Sequence, residues 1–356
     1  MLSKISIKGY KSIKELELEL KPINILIGSN GSGKSNFLSF FEFLENLYKN
    51  NLETYVATMG YSQKFLHKGN KVTKNISSII EFEDNTKSYS FNLQKNEEDL
   101  FIFISEHAWY KGKQSYNMAS FSSNAKIIND SAFRSGYVRR YLSLTKKYHF
   151  HDTGRNSPFN QISNIEKDIY FLESTGRNLA AFLYKILQKN NDTYKFILFS
   201  IQSIAPYLLD FFLQPNENGD IKLLWRHKEF EQLMGVTDLS DGTIRFIALA
   251  ALFLQPDLPQ TIIIDEPELG LHPFAISKLA GMIKSVSSQG CQVILATQSV
   301  ELINYFEAED IITVDQIDGE SYFKRLSTQD LKHWLEDYTL GELWQRNIIA
   351  GGQVNY

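Results

Sequence analysis

The chain contains only one cysteine, Cys291, in 356 residues, which excludes an intramolecular disulfide and makes a reducing compartment the simplest setting. It also lacks a run of roughly 18 apolar residues, the length that a membrane-spanning helix requires. Its first twenty residues alternate charged and apolar side chains, whereas a secretory signal needs an unbroken apolar stretch. These absences predict a cytoplasmic protein without a membrane partner.

An excess of positive charge is also missing. The formal net charge is -4, so bulk electrostatics does not indicate a nucleic-acid partner. A local cluster of basic and aromatic residues leaves a nucleic-acid patch open beside the alternative of a solvated face: Arg134, Arg139, Arg140, Lys146 and Lys147 with Tyr137, Tyr141 and Tyr148. Sustained heptads are absent, which argues against a long coiled-coil arm.

What the sequence does have is material for a large core, with 43% hydrophobic and 13% aromatic residues. Apolar periodicity predicts strands at 3–9, 15–20, 23–27, 76–83, 88–94, 100–105, 261–264, 292–296, 311–315 and 320–325. It predicts helices after Ser35, at 160–172, at 177–189, before Pro206, after Leu239 and after Pro273, a hairpin across 216–219 and a helical tail. The polar stretch 111–131 is predicted to be a loop.

The segment from Gly28 to Ser35, Gly-Ser-Asn-Gly-Ser-Gly-Lys-Ser, fits the phosphate-binding loop. It lies between a buried strand and a helix, as that motif requires. Glycines let the main chain wrap around phosphate groups, so that N–H groups and the positive end of the helix meet negative charge. Lys34 is then placed to bridge the β- and γ-phosphates, and Ser35 to bind Mg²⁺.

A second apolar strand, Thr261 to Ile264, leads directly into Asp265 and Glu266. Ligands of α/β sheets bind at the carboxyl ends of strands, so these two carboxylates are candidates for the other half of the site. Asp265 is predicted to hold the Mg²⁺ ion, and Glu266 to polarise an attacking water molecule.

Four further segments resemble motifs of ABC-class ATPases. Leu239-Ser-Asp-Gly-Thr243 resembles the signature motif, with Asp241 where many members have glycine. Glu268-Leu-Gly-Leu-His-Pro273 resembles the D-loop, and Ala296-Thr-Gln-Ser299 resembles the strand end that holds the switch residue. Ile5-Ser-Ile-Lys-Gly-Tyr-Lys-Ser12 is similar to the N-terminal segment of the RecF, SMC and OLD-like branch, in which a basic residue approaches the nucleotide.

The resemblance implies an α/β fold: an ABC-type P-loop ATPase head, with a mixed sheet and flanking helices. An α+β insertion would separate the Walker A block from the signature and Walker B blocks. The corresponding division of the chain is a head at 1–50 and 235–325, an inserted lid-like or arm-like region at 51–234, and a helical C-terminal tail at 326–356.

The resemblance also assigns site residues, with ATP and Mg²⁺ as cofactors. Glu266 and Gln298 are the expected catalytic residues, and Ser35 and Asp265 the expected Mg²⁺ ligands. Ser240, Asp241 and Gly242 are expected to act in trans, on nucleotide held by a second copy. The expected nucleotide-binding residues are Lys11, Asn30, Gly31, Ser32, Gly33, Lys34, Ser35 and Asn36.

Two departures from the family pattern bear on turnover. Gln298 stands where many relatives have histidine, and an amide cannot carry positive charge, so slow hydrolysis is our hypothesis. A Q-loop glutamine is not evident, although Gln63 is a candidate.

His149 and His151 have no matching set of Cys or His ligands, so a metal site is not indicated there.

The function predicted from this resemblance is an ATPase that homodimerises around ATP and gates a separate effector, a nuclease or a toxin, in bacterial anti-phage defence. Three alternatives stay open. A RecF/SMC-like DNA-repair ATPase would bind DNA directly, a transporter subunit would need a membrane partner, and a scaffold would bind ATP without hydrolysing it.

Overall fold

The computed structural model describes residues 1–83, 86–111, 113–114, 117–119 and 121–351. Its strands, in chain order, are Leu2–Tyr10 (β1), Ile13–Glu19 (β2), Ile23–Ile27 (β3), Asn75–Phe82 (β4), Lys87–Lys95 (β5), Phe101–Tyr110 (β6), Lys113–Gln114 (β7), Thr145–Tyr148 (β8), Ser163–Asn164 (β9), Leu208–Phe212 (β10), Asp220–Ile221 (β11), Leu224–His227 (β12), Leu233–Met234 (β13), Thr261–Asp265 (β14), Gln292–Thr297 (β15), Ile311–Ile317 (β16) and Glu320–Arg325 (β17). Its α-helices are Lys34–Tyr48 (α1), Leu52–Thr58 (α2), Phe133–Ser143 (α3), Leu179–Lys189 (α4), Asn191–Gln202 (α5), Asp241–Phe253 (α6), Pro273–Ser288 (α7), Val300–Ile303 (α8), Thr328–Leu331 (α9) and Leu340–Gln345 (α10).

The chain forms two compact units. The first comprises Met1–Lys147, Pro259–Ile263 and the chain from Gly290 on, and the second comprises Tyr148–Leu258 and Ile264–Gln289. The predicted division into head, insertion and tail stays a prediction. Within the described residues, no helix combines the length and apolarity needed to cross a membrane.

The first unit contains two sheets. One is antiparallel, in the order β2-β1-β4-β5-β6-β7. The other has the order β17-β16-β3-β15-β14-β8 and is mixed, because β3 is parallel to both β15 and β16, whereas β17 is antiparallel to β16. Every residue of β3 is buried, as its continuous apolar sequence predicts.

Helix α1 lies in the core between these two sheets. Phe40 contacts Tyr10 of β1 and Phe91 of β5, with ring centroids 5.1 and 6.5 Å apart, whereas Phe37 contacts Phe323 of β17 at 5.5 Å. Eight of its fifteen residues are buried, so a helix with apolar side chains on more than one face is stable here because both sides meet apolar partners. This packing fixes the start of α1, where the phosphate-loop motif ends.

The second unit is built mainly from α4, α5, α6 and α7. Helix α6 is almost entirely apolar and buried from Thr243 to Phe253. A three-stranded sheet, β10-β12-β13, and the pair β9-β11 complete the unit. The turn at 216–219 lies between β10 and β12, which pair antiparallel, so the predicted hairpin is present.

The predicted helix at 160–172 is wrong. This segment contains only short turns and β9, although Ile162, Ile165 and Ile169 follow a helical spacing. Polar side chains bond the main chain instead: Asn164 N donates to Asp168 Oδ2 at 2.8 Å, and Asn178 Nδ2 donates to the Asp168 carbonyl at 2.6 Å. Such local bonds compete with helical ones.

Several elements were not predicted, among them α2, α3, α8 and the short strands β7 and β8. The side chain of Val138 in α3 is fully buried, and Arg139 donates to the carbonyl groups of Ile127 and Ile128 at 3.1 and 3.3 Å. Lys147 in β8 forms an ion pair with Glu42 at 2.8 Å. The side chain of Arg134, residues 112, 115, 116 and 120 of the predicted loop, and residues 352–356 of the predicted tail lie outside the described residues.

The tail belongs to the first unit and packs against other segments of it. Leu340 and Leu343 of α10 are buried, and Gly341 N donates to Asn304 Oδ1 at 2.8 Å. Further along, Gly351 N donates to Asp315 Oδ1 at 2.7 Å. A Cβ atom at Gly351 would lie 3.2 Å from the Ile27 carbonyl oxygen, so the tail contacts the end of β3.

Candidate functional site

The phosphate-loop motif has the expected strand, loop and helix. The loop begins at Gly28, directly after β3, and α1 begins at Lys34. Gly31 and Gly33 have φ angles of +80° and +113°, a region that favours glycine. Lys34 is buried, and its Nζ donates to the carbonyl groups of Gly28 and Ser29 at 2.7 and 3.0 Å. The ammonium group is therefore held against the concave side of its own loop.

Two hydroxyl groups outside the motif support this loop, one from β17 and one from the turn between β1 and β2. Ser321 Oγ, in β17, donates to the Ser32 carbonyl at 2.6 Å and lies 2.8 Å from Ser12 Oγ. Ser12 Oγ accepts a hydrogen bond from Asn36 Nδ2 at 2.7 Å. A Cβ atom at Gly33 would lie 2.0 Å from Ser321 Oγ, so this position requires glycine. No motif in the sequence indicates Ser321.

Gln298 lies beside the loop. Its Nε2 donates to Asn30 Oδ1 at 2.8 Å. The contact follows from the parallel pairing of β15 with β3, in which Thr297 lies opposite Ile27. Parallel strands end at the same edge of a sheet, so the residues that follow them meet. The structure thus joins two predicted site residues that are far apart in the sequence.

Lys11 lies against α1 rather than at the loop itself. Its Nζ donates to Ser39 Oγ at 2.8 Å, one helical turn beyond Ser35. Burial lowers the pKa of Lys11, and the rings of Tyr10 and Phe65 lie 5.4 and 5.7 Å from its Nζ. The ammonium group therefore has a fixed place near the first two turns of α1.

The predicted acidic residues lie in the second unit. Asp265 ends β14, and Glu266 follows with a φ angle of +40°, a left-handed conformation that is strained for a residue with a side chain. His151 Nε2 lies 2.9 Å from the main-chain oxygen of Asp265 and donates to it. No motif in the sequence connects His151 with this position.

The signature segment forms the start of α6. Ser240 is the N-cap, and its Oγ accepts a hydrogen bond from Thr243 N at 3.1 Å. Asp241 is exposed in the first turn. A Cβ atom at Gly242 would lie 2.2 Å from the Gly270 carbonyl oxygen, so the signature and D-loop segments touch through their main chains.

An open cavity of about 530 Å³ adjoins the start of α6. Its lining combines the signature and D-loop segments with the end of α5: Ser203, Ile204, Ser240, Gly242, Thr243, Gly270, Leu271, His272, Phe274 and Ala275. Phe274 and Leu269 near this cavity are about half exposed, at 49% and 47%.

The predicted site residues are divided between the two units. Lys11, Asn30–Asn36 and Gln298 belong to the first unit, whereas Ser240–Gly242 and the acidic pair belong to the second. Within the residues that the structure describes, no group of three or more His, Cys, Asp and Glu side chains is arranged to hold a metal ion.

Comparison with known proteins gives a family and a fold. A family model described as "AAA domain, putative AbiEii toxin, Type IV TA system" matches residues 23–304. The chain is 22% identical over 359 residues to the Old nuclease of Escherichia phage P2, a match that covers 88% of this chain and 59% of that protein. The chain therefore spans less than two thirds of this relative's length.

Two solved structures share the fold. One is an Smc head bound to the C-winged helix domain of ScpA, with a TM-score of 0.63, 17% identity, and coverage of 93% of this chain and 99% of that one. The other is an Smc head with an extended coiled coil bound to the C-terminal domain of ScpA from Pyrococcus furiosus, with a TM-score of 0.60, 16% identity, and coverage of 94% and 98%. These matches confirm the predicted ABC-type head with a mixed sheet and flanking helices. The chain belongs to the family of the AAA domain described above and is an ATPase of the SMC/OLD-like ABC type.

Proposed function

We propose that the chain binds ATP with Mg²⁺ and hydrolyses it slowly. The observation that carries this proposal is the geometry of the phosphate loop, in which Lys34 is held over the loop between β3 and α1. Lys34 and the main-chain N–H groups of residues 30–36 would bind the phosphates. Glu266 would orient the attacking water, and Gln298 would donate to the γ-phosphate or to that water.

Ser35 and Asp265 would be the protein ligands of the magnesium ion. Ser35 offers an exposed hydroxyl group in the first turn of α1, and Asp265 offers a carboxylate at the end of β14. Oxygen ligands of this kind suit Mg²⁺, which commonly takes one or two protein ligands and completes its shell with phosphates and water. The ion would neutralise phosphate charge when bound.

We propose further that two copies close around ATP. The start of α6 is exposed beside an open cavity, and its first N–H groups and helix dipole favour an anion. In this arrangement, Ser240, Asp241 and Gly242 of one copy would contact the γ-phosphate held by Lys34 of the other. ATP would then be part of the dimer interface.

The effector would be a separate protein, a nuclease or a toxin, in anti-phage defence. The phage P2 relative is named a nuclease, and the family description refers to a toxin–antitoxin system, which supports this class of partner. Two of the basic side chains that could have formed a nucleic-acid patch have partners within the protein: Lys147 forms an ion pair with Glu42, and Arg139 donates to the carbonyl groups of Ile127 and Ile128. This pairing favours effector gating over direct DNA binding.

The test is a Glu266→Gln variant, assayed with and without ATP. Without the general base, phosphate release should fall about 10²- to 10⁴-fold, while ATP binding persists and the dimer accumulates on sizing chromatography. A Glu266→Gln, Lys34→Ala double variant is the matched control and should stay monomeric with ATP. Wild-type phosphate release by Glu266→Gln, or a monomer regardless of ATP, would contradict the proposal.

The trapped Glu266→Gln protein also separates the alternatives. Co-purification of a nuclease or toxin would support effector gating. Tight, salt-sensitive binding of duplex DNA that requires ATP would select the DNA-repair function instead. Co-purification of an integral membrane protein would select the transporter function.

A further inference from the structure

His151 contacts the peptide group that connects Asp265, the predicted Mg²⁺ ligand, to Glu266, the predicted catalytic carboxylate. Its Nε2 donates to the main-chain oxygen of Asp265 at 2.9 Å. That oxygen belongs to the peptide unit between Asp265 and Glu266, so the bond fixes the orientation of the plane from which the Glu266 side chain departs.

The peptide unit needs such a restraint because Glu266 has a φ angle of +40°. A left-handed conformation at a residue with a Cβ atom persists only when the surrounding structure imposes it, at a cost of roughly 1–3 kcal/mol. The hydrogen bond from His151 acts on the plane that defines this φ angle. Removing the donor would let Glu266 relax and move its carboxylate.

Arg245 connects the main chain of His151 to helix α6. Its Nε donates to the Phe150 carbonyl at 3.0 Å, its Nη2 to the His151 carbonyl at 3.2 Å, and its Nη1 to the Leu269 carbonyl. One guanidinium group thus connects the segment of Phe150 and His151 to Leu269, three residues after Glu266. The group is buried, and burial lowers the pKa of Arg245, although arginine stays charged in proteins.

Arg245 lies one turn into helix α6, whose N-cap is Ser240. The contact between Gly242 and Gly270 couples the same turn to the D-loop, since there is no room between them for a Cβ atom. A shift of the helix start would therefore move the carbonyl partners of Arg245, and with them His151.

We propose that His151 is a positioning residue for Glu266, and that Arg245 couples it to the signature segment. The inference rests on the proposed ATP hydrolysis. Nucleotide contact at Ser240 would then adjust the Glu266 carboxylate through a path lying within the second unit: helix α6, Arg245, His151 and the Asp265–Glu266 peptide. A metal-binding role for His151 is not needed, because its Nε2 is already a donor to a carbonyl group.

The test compares His151→Leu with His151→Gln in the full chain. Leucine cannot donate, so kcat should fall roughly tenfold to a hundredfold, the scale of a misplaced catalytic group, while KM for ATP stays unchanged. Glutamine carries an amide donor near the position of Nε2 and should restore much of the rate. His333→Leu, the same change at an exposed histidine, should behave as wild type.

Two outcomes would overturn the positioning role: a wild-type kcat for His151→Leu, or a glutamine variant as slow as the leucine variant. Either result leaves the ATPase proposal intact if phosphate release still depends on Glu266. A wild-type chain that releases no more phosphate than Glu266→Gln would instead refute the proposed hydrolysis, and this inference with it.

The coupling is tested by Arg245→Lys, since one ammonium group cannot reproduce the planar fork that reaches three carbonyl groups. It should lower kcat as His151→Leu does. Combining the two changes should reduce kcat by less than the product of the single effects, because both act on one path. If the effects of the two changes on kcat multiply fully in the double variant, the coupling is refuted.

Discussion

The phosphate loop and the acidic loop both follow a buried strand, yet different forces hold them in shape. The phosphate loop places glycines, Gly31 and Gly33, where φ is positive, so its curvature costs little. The acidic loop places Glu266 in a similar region without that freedom. Glycine thus gives the phosphate loop its curvature, whereas the acidic loop needs restraints from residues outside its motif to hold Glu266 in this conformation.

The supports differ accordingly. Hydroxyl groups of Ser12 and Ser321 contact the phosphate loop, and Lys34 bonds its carbonyl groups. The acidic loop is held by His151 and Arg245, which donate to main-chain oxygens. Two loops that are restrained so differently should respond differently to mutation: changes at the phosphate loop should weaken ATP binding, and changes at the acidic loop should slow turnover.

The largest effect is expected for Lys34→Ala. Removing the ammonium group takes away the charge that would bridge the phosphates, so hydrolysis should fall by about a hundredfold or more, the loss typical of deleting one preorganised hydrogen-bond donor. ATP binding, measured with a fluorescent analogue, should weaken in parallel. Lys71→Ala, at an exposed lysine, is the control. Unchanged binding by Lys34→Ala would refute the assignment of the phosphate site.

A smaller effect is expected for Gly242→Ala, which would force a Cβ atom against the Gly270 carbonyl. The resulting overpacking should lower the free energy of unfolding by about 1–3 kcal/mol, as measured by urea titration. Gly281→Ala is the matched control, because its Cβ atom would meet no atom within 4 Å. Inside α7 that change should stabilise by about 0.5–1 kcal/mol. Equal stability of the two variants would contradict the close contact.

Gln298→His tests whether the amide limits turnover. A histidine can carry positive charge toward the γ-phosphate, so the rate of phosphate release should rise by about tenfold, a modest share of what a charged donor supplies in a transition state. Gln298→Ala should not show the rise. If Gln298→His leaves the rate unchanged, the slow-turnover hypothesis loses its physical basis.

The smallest effect is expected for Ser321→Ala. It removes the donor to the Ser32 carbonyl, which should cost about 1 kcal/mol of stability, the net value of one hydrogen bond. It should also raise KM for ATP while leaving kcat nearly constant, because it loosens the binding half only. Ser288→Ala, at an exposed serine, is the control. A fall in kcat at constant KM would show that the two halves are not separable in this way.

Apolar periodicity predicted most strands and helices of the first unit. In the second unit it predicted a helix at 160–172 that the structure does not contain. The spacing of Ile162, Ile165 and Ile169 is helical, yet Asn164, Asp168 and Asn178 bond the local main chain. Helix α3 is the converse case, a helix that the apolar spacing did not predict. Its sequence carries a glycine and weak periodicity, and it is stabilised by burial of residues such as Val138.

The sequence by itself determined the phosphate loop, because a short run of glycines followed by Lys34 and Ser35 encodes its chemistry locally. Its resemblance to the ABC-class switch segment also indicated Gln298 as a site residue, and the parallel pairing of β15 with β3 brings that residue to Asn30. Only the tertiary structure revealed Ser321, His151 and Arg245 as supports. Each acts through a main-chain oxygen of a residue distant in sequence, and a carbonyl group carries no side-chain signature by which such a partner could be recognised.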